Sequence, residues 1–162
     1  MLSESLAVEH VKHTMVNLDA WLIGVDQRAS RSSVMERYDC KAIVSCVKGL
    51  LEGRVIYPPV YDPVSRRRVA EASSKGIAAT SGFIIAEGVI ALALSELVDM
   101  SSLRVFVQVS DETRIERLYA FYRDVKKLSL SEVETIIAER ELEEIPFIKN
   151  TASRADIIIH NS

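Results

Sequence analysis

The chain has 162 residues, nearly half of them apolar and about a quarter charged, with a net charge of −3. Such a chain is long enough for one domain with one sizeable core, and its composition is that of an ordinary globular protein. The charge gives neither the basic footprint of a nucleic-acid binder nor the polybasic patch of a membrane-surface protein. The longest apolar run, 82–94, is interrupted by Glu87 and is too short to span a bilayer.

The N-terminus, Met1-Leu2-Ser3-Glu4-Ser5, carries acid where a secretory signal carries Lys or Arg, which fits a cytoplasmic protein. Segment 4–13 is weakly helical, and its His10 and His13 are read as an exposed pair rather than a metal site. Residues 14–18 form a short predicted strand. A polar stretch rich in Arg and Ser follows over 26–36. Ile43, Val47, Leu50 and Leu51 then recur at helical spacing, and Gly53 stands at the stop. Cys40 and Cys46 lie on different faces of this helix, so they form no CxxC site and read as buried thiols of a reduced protein. Pro58 and Pro59 force an extended segment, and the polar stretch 61–81, centred on Arg66-Arg67-Arg68, is expected as a loop or hairpin.

Three apolar runs of strand length follow, at 83–86, 103–109 and 156–159. Their near-continuous apolar character predicts parallel strands buried on both faces. Ser110-Asp111 opens a helix that places Ile115, Leu118, Tyr119 and Tyr122 on one face. Ser131-x-x-Glu134 is a capping box for another, expected to end before Pro146. Strands alternating with helices predict an α/β architecture with a mostly parallel sheet flanked by helices.

Four places carry candidate chemistry. Asp19, in Asn17-Leu18-Asp19-Ala20-Trp21, follows a short strand; ligands of open α/β sheets sit beyond such strand ends, although a turn or helix cap also uses Asp there. Glu87 ends a buried strand just before Gly88, a placement suited to a nucleotide or Mg²⁺, and a carboxylate at the end of so apolar a run needs a partner. The Arg66–Arg68 cluster after Tyr61-Asp62 is either a bidentate anion clamp or a solvated loop. Arg123-Asp124-Val125-Lys126-Lys127 is either a lid over polyphosphate or a set of surface cations complementing a helix end.

Leu18-Asp19-x-Trp21, Pro59-x-Tyr61-Asp62 with Arg68, Glu87-Gly88-x-x-Ala91-Leu92, Arg123-Asp124 and Ala155-Asp156-Ile157-Ile158 occur in one order over residues 14–160. This collinear set resembles the uridine kinase/phosphoribulokinase family, which phosphorylates a hydroxyl of a nucleoside or sugar with ATP and Mg²⁺. The resemblance implies a P-loop NTPase-like fold, with Asp19 as general base and Glu87 near substrate and metal. It also implies Tyr61 and Arg68 in the acceptor pocket, and Arg123, helped by Lys127, in the lid. That division suits phosphoryl transfer, which is mainly positioning and charge neutralisation.

The family opens with a strand and G-x-x-x-x-G-K-[ST], a sequence found nowhere in this chain. The expectation is one P-loop kinase-like domain over 1–162, truncated so that the P-loop strand is missing, with nucleotide binding and catalysis impaired. Without its central strand the family's sheet would leave two inner strands unpaired. A shifted strand, the N-terminal segment or a second copy of the chain is then expected to pair with them. Arg66 replaces the family's base-contacting His, which suits a sugar acid or sugar phosphate better than a neutral pyrimidine. In the lid, Leu128-Ser129 replaces Arg-Gly, and Tyr119-Ala120 occupies a position often held by Arg. The competing expectation is a non-catalytic, kinase-like protein that binds a sugar phosphate or another small molecule.

Overall fold

The computed structural model describes residues 12–30, 32–79 and 82–161. The chain divides into two compact units, Met1–Leu97 and Val98–Ser162. The helix expected over 4–13 lies almost wholly outside the described residues.

The first unit is built on two parallel strands, β1 (His13–Asn17) and β4 (Phe83–Glu87), paired in register from His13 opposite Phe83 to Asn17 opposite Glu87. β1 alternates partly exposed with buried residues, and Thr14 and Val16 point into the core. A 3-10 turn, Leu18–Trp21, caps the strand and buries Leu18 and Trp21. The polar stretch after it folds into further short 3-10 turns, Val25–Gln27 and Met35–Arg37. Helix α1 (Cys40–Leu51) begins where the Asp39 carboxylate accepts the Ala42 N–H, and it turns Ile43, Val47 and Leu50 inward. Gly53, at φ +79°, receives the chain beyond its end. The polar segment after Pro59 is a hairpin of β2 (Val60–Asp62) and β3 (Arg67–Ala70), held at its turn by the Asp62 carboxylate, which accepts the Val64 and Ser65 N–H groups. α2 (Ser95–Met100) spans the boundary between the units.

The second unit holds another parallel pair, β5 (Val105–Gln108) and β6 (Ile157–His160). α3 (Asp111–Ala120) starts at a Ser110 cap and runs into a π-helical turn, Phe121–Val125. α4 (Leu130–Leu142) and α5 (Glu144–Thr151) follow. Tyr122, Val133 and Ile137 form a core, with Leu118, Tyr119, Leu128 and Ile136 packed against it. Arg114 donates to the carboxylates of Glu141 and Asp111, and Lys149 reaches the same Asp111 at 2.9 Å.

The α/β class with parallel strands agrees with the sequence, but several details differ. The first strand starts and ends one residue earlier than expected. Strands expected to be buried on both faces are not: every residue of β6 is exposed, and β4 is at most half-buried. Among the described strands β4 pairs only with β1 and β5 only with β6, so no shifted strand covers their other edges. The capping box belongs to Ser129 and Glu132, two residues before the expected pair; Glu132 takes the Ser129 N–H at 2.8 Å, and the earlier start adds backbone hydrogen bonds to α4. Pro146 stands in the first turn of α5, where a missing N–H costs nothing, so it opens a helix instead of following one. Finally, Cys40 and Cys46 are half-buried, and partial burial pushes both thiols up, away from thiolate chemistry.

Candidate functional site

Asp19 and Glu87 meet because two adjacent parallel strands end at the same level. Asn17, the last residue of β1, is the register partner of Glu87, and its side chain accepts the Asp19 N–H at 2.8 Å, starting the 3-10 turn that carries Asp19. Gly88 follows Glu87 at φ +149°. A Cβ there would sit 3.0 Å from the Leu18 Cβ and 3.6 Å from Asp19 Oδ1, so only glycine lets the chain turn this close to the carboxylate. The resulting pair is electrostatically coupled. Glu87 keeps solvent contact, yet the packing around it withdraws enough water to raise its carboxyl above the ordinary 4.5, and the Asp19 charge pushes the same way. Two acids at a strand end with one proton affinity raised form a seat for a cation or an acceptor hydroxyl.

The Asp19 turn is braced from two sides. On one side the 37–39 segment runs antiparallel to 21–23. Ile23 N–H donates to the Arg37 carbonyl, Asp39 N–H donates to the Trp21 carbonyl, and Leu22 bridges Tyr38. Tyr38 is buried, and its hydroxyl donates to Asp19 Oδ1 at 2.9 Å. On the other side the hairpin packs against the turn. Arg68, only 15% exposed, donates to the Trp21 carbonyl at 3.3 Å and lies 3.3 Å from Glu71. Its guanidinium is thereby turned toward backbone carbonyls.

The other residues singled out in the sequence fall as follows. The Tyr61 hydroxyl lies 3.4 Å from an Arg28 nitrogen, while Arg28 Nε donates to the Ile23 carbonyl at 2.7 Å. Arg66 is exposed at the hairpin turn at φ +57°, and its carbonyl accepts the Val25 N–H. Arg67 points to Asp26 at 3.9 Å. Arg123 and Lys127 belong to the second unit, on and just after the π-helical turn. That turn buries Tyr122 and leaves both cations exposed, without an ion-pair partner among the described residues. Lys126 sits over the Phe121 ring, and Arg140 covers the Tyr122 ring. Tyr38 and Arg28 had no signal in the sequence. Tyr38 reaches its partner across 19 residues through a short ladder with no strand pattern, and Arg28 is one of several arginines in a polar stretch.

Among the described residues no cluster of three or more His, Cys, Asp or Glu could enclose a metal, and no helix is long and apolar enough to cross a membrane. Two carboxylates nonetheless fit Mg²⁺, which usually takes one or two protein carboxylates and completes its shell with phosphate oxygens and water.

Two parallel pairs flanked by helices, with acids beyond the carboxyl ends of one pair, have the fold of a P-loop kinase. Two solved structures share it. A Silicibacter sp. TM1040 protein, provisionally described as a fructose transport system kinase, superimposes with a TM-score of 0.67 and 14% identity, over 97% of this chain and 79% of its own. YFH7 of Saccharomyces cerevisiae, provisionally described as a P-loop containing kinase with a circular permutation, gives 0.66 and 13%, over 94% of this chain and 59% of its own. The profile of the Phosphoribulokinase / Uridine kinase family matches residues 10–162, and the chain belongs to that family. The uridine kinases of Clostridium novyi (strain NT) and Ligilactobacillus salivarius (strain UCC118) are 30% and 29% identical to it, each over 75% of this chain. The matches span 58% and 56% of the length of those relatives.

Proposed function

We propose that the chain is the acceptor-and-lid portion of a small-molecule kinase that uses ATP and Mg²⁺ to phosphorylate a hydroxyl of a nucleoside or sugar-type compound. The carrying observation is the Asp19–Glu87 pair at the carboxyl ends of β1 and β4. Asp19 takes the hydroxyl proton of the acceptor. Glu87 holds Mg²⁺, which when bound neutralises developing phosphate charge. Tyr61, Arg66 and Arg68 line the acceptor side; Arg68 acts by fixing the backbone of the Asp19 turn, and the Arg28 guanidinium against Tyr61 adds a cation there. Arg123 and Lys127, exposed and unpaired among the described residues, neutralise the transferring phosphoryl group.

We read the two units as parts of one P-loop kinase-like domain. It acts in the cytoplasm, where ATP is abundant and thiols such as Cys40 and Cys46 stay reduced. Edge strands with apolar side chains, such as β6, favour self-association. Because the sequence contains no G-x-x-x-x-G-K-[ST] segment, this chain by itself holds nucleotide weakly. That same feature favours a second reading, a non-catalytic protein that keeps the acceptor pocket.

Calorimetric titration with ATP and Mg²⁺, followed by radiolabel transfer to uridine, fructose and a pentose phosphate, separates the two. Transfer to any acceptor that disappears in Asp19→Asn supports the kinase. Acceptor binding with no nucleotide binding and no transfer supports the binding protein.

A further inference from the structure

We infer that Tyr38 is a positioning residue for Asp19, one that dedicates a single carboxylate oxygen to structure and leaves the other to accept the proton. The inference rests on the kinase reading above, in which Asp19 is the base. In that step the acceptor oxygen bonds to the γ-phosphorus, the bond from that phosphorus to the ADP oxygen breaks, and the acceptor proton passes to Asp19. A carboxylate that rotates freely offers either oxygen in many orientations, and the fraction of time spent in line with the acceptor limits the rate.

Asp19 does not have that freedom. The Tyr38 hydroxyl donates to Oδ1 at 2.9 Å, within the range of a charge-assisted hydrogen bond. Gly88 faces the same oxygen, and a Cβ there would stand at an ordinary contact distance of 3.6 Å from it. The Asn17 side chain meanwhile accepts the Asp19 N–H, and this fixes the turn from which the carboxylate projects. Oδ2 carries no hydrogen bond or ion pair to any described residue.

Tyr38 can enforce this geometry because it is itself buried and tied at its backbone. The residue is only 8% exposed, and its backbone N–H is bound to the Met35 carbonyl. Its neighbours on both sides are tied across to the Asp19 turn, Arg37 through Ile23 and Asp39 through Trp21. Asp39 also caps α1, so the phenol is referenced to the strand on one side and the helix on the other. Rigid support of a reacting group by buried neighbours is how a site holds its orientation without loss of rate.

The test is steady-state phosphoryl transfer from ATP and Mg²⁺ by the full protein, with uridine, fructose or a pentose phosphate as acceptor. In Tyr38→Phe, kcat should fall by about tenfold to a hundredfold, the loss of one hydrogen bond to a charged group, with acceptor KM within about twofold. Replacing Tyr38 by 4-aminophenylalanine, which keeps the ring and a donor, should restore most of the rate. In an Asp19→Asn background the loss of the phenol should have no further effect. An active parent whose Tyr38→Phe variant keeps its kcat overturns the inference and leaves the kinase reading intact. So does a variant whose kcat falls only in step with its thermal unfolding midpoint, or one the amino analogue does not rescue. A silent parent overturns the kinase reading, and the inference with it.

Discussion

The two parallel strand pairs are built from similar apolar segments yet handle their carboxylates in opposite ways. In the β1–β4 pair the acids stand at the carboxyl ends, Glu87 as the last residue of β4 and Asp19 just past β1, and Glu87 is held with its proton affinity raised by desolvation and by Asp19. In the β5–β6 pair the acid stands at the opposite end. Asp156 precedes β6 and accepts from the Arg104 backbone N–H at 2.8 Å and from Arg104 Nε at 2.9 Å. Its carboxyl is held down at about 2, first by the side-chain hydrogen bonds of Arg104 and then by the backbone one. One arrangement stores unfavourable charge where a ligand can relieve it; the other spends its charge on aligning two strands. Strand pairs of the same kind thus divide into an end with two coupled acids and a fastened end, and the difference lies in which carboxylate was given a guanidinium.

The largest expected effect comes from breaking the coupled-acid end. Asp19→Asn should lower kcat by about a thousandfold in the full protein, with acceptor binding largely kept, as removal of a general base does. Stopped transfer with normal calorimetric binding is the expected pattern; an unchanged rate would assign the proton to another group. Next comes packing. Val16 in β1 is fully buried, whereas Ile158 in β6 is 46% exposed. Val16→Ala should cost about 2 kcal/mol or more in urea unfolding and Ile158→Ala less than about 1, because only the first leaves a cavity. Equal costs would mean that β6 is covered in solution, as self-association would achieve.

The smallest effects are in the pH dependence, and they should have opposite signs. The native pKa of Asp156, about 2, lies below its ordinary 3.8. Its contribution to stability is therefore present above the ordinary value and lost as pH falls toward the native one. Asp156→Asn should lower stability at neutral pH and flatten the loss between those two values. Glu87 is raised above its ordinary 4.5, so it binds its proton more tightly when folded and costs stability as pH rises past that value. Glu87→Gln should stabilise the protein near neutral pH, and the gain should vanish in acid. A destabilising Glu87→Gln would mean the carboxylate has a partner that offsets its desolvation.

Much of the candidate site's placement was legible in the sequence because it is punctuated by local signals. Asp19 follows an apolar strand, Glu87 ends another, and Gly88 announces a turn that no other residue tolerates. The α1 face and its stop at Gly53 were similarly readable, since helical spacing and a glycine at the helix end are local signals. Other features needed partners far away in the chain. Arg68 looked like a ligand-binding cation, and only the hairpin's packing on the Asp19 turn revealed the carbonyls it serves. The exposure of β6 could not be read from Ile157-Ile158-Ile159, because apolar runs report what a strand can bury and not whether anything covers it. The expected box at Ser131-x-x-Glu134 was displaced by one at Ser129 and Glu132, because helix ends are set by which backbone N–H groups are left over once the helix has packed.

By itself, then, the sequence determined the class, the alternation of strands and helices and the order of the motifs, since each is written in local spacing or in residue identity. The tertiary structure decided which carboxylate has its proton affinity raised by a neighbour, which arginine braces and which stays exposed, and that a buried phenol holds Asp19. These depend on distances between residues remote in the chain, set by register and packing, and no local pattern encodes them.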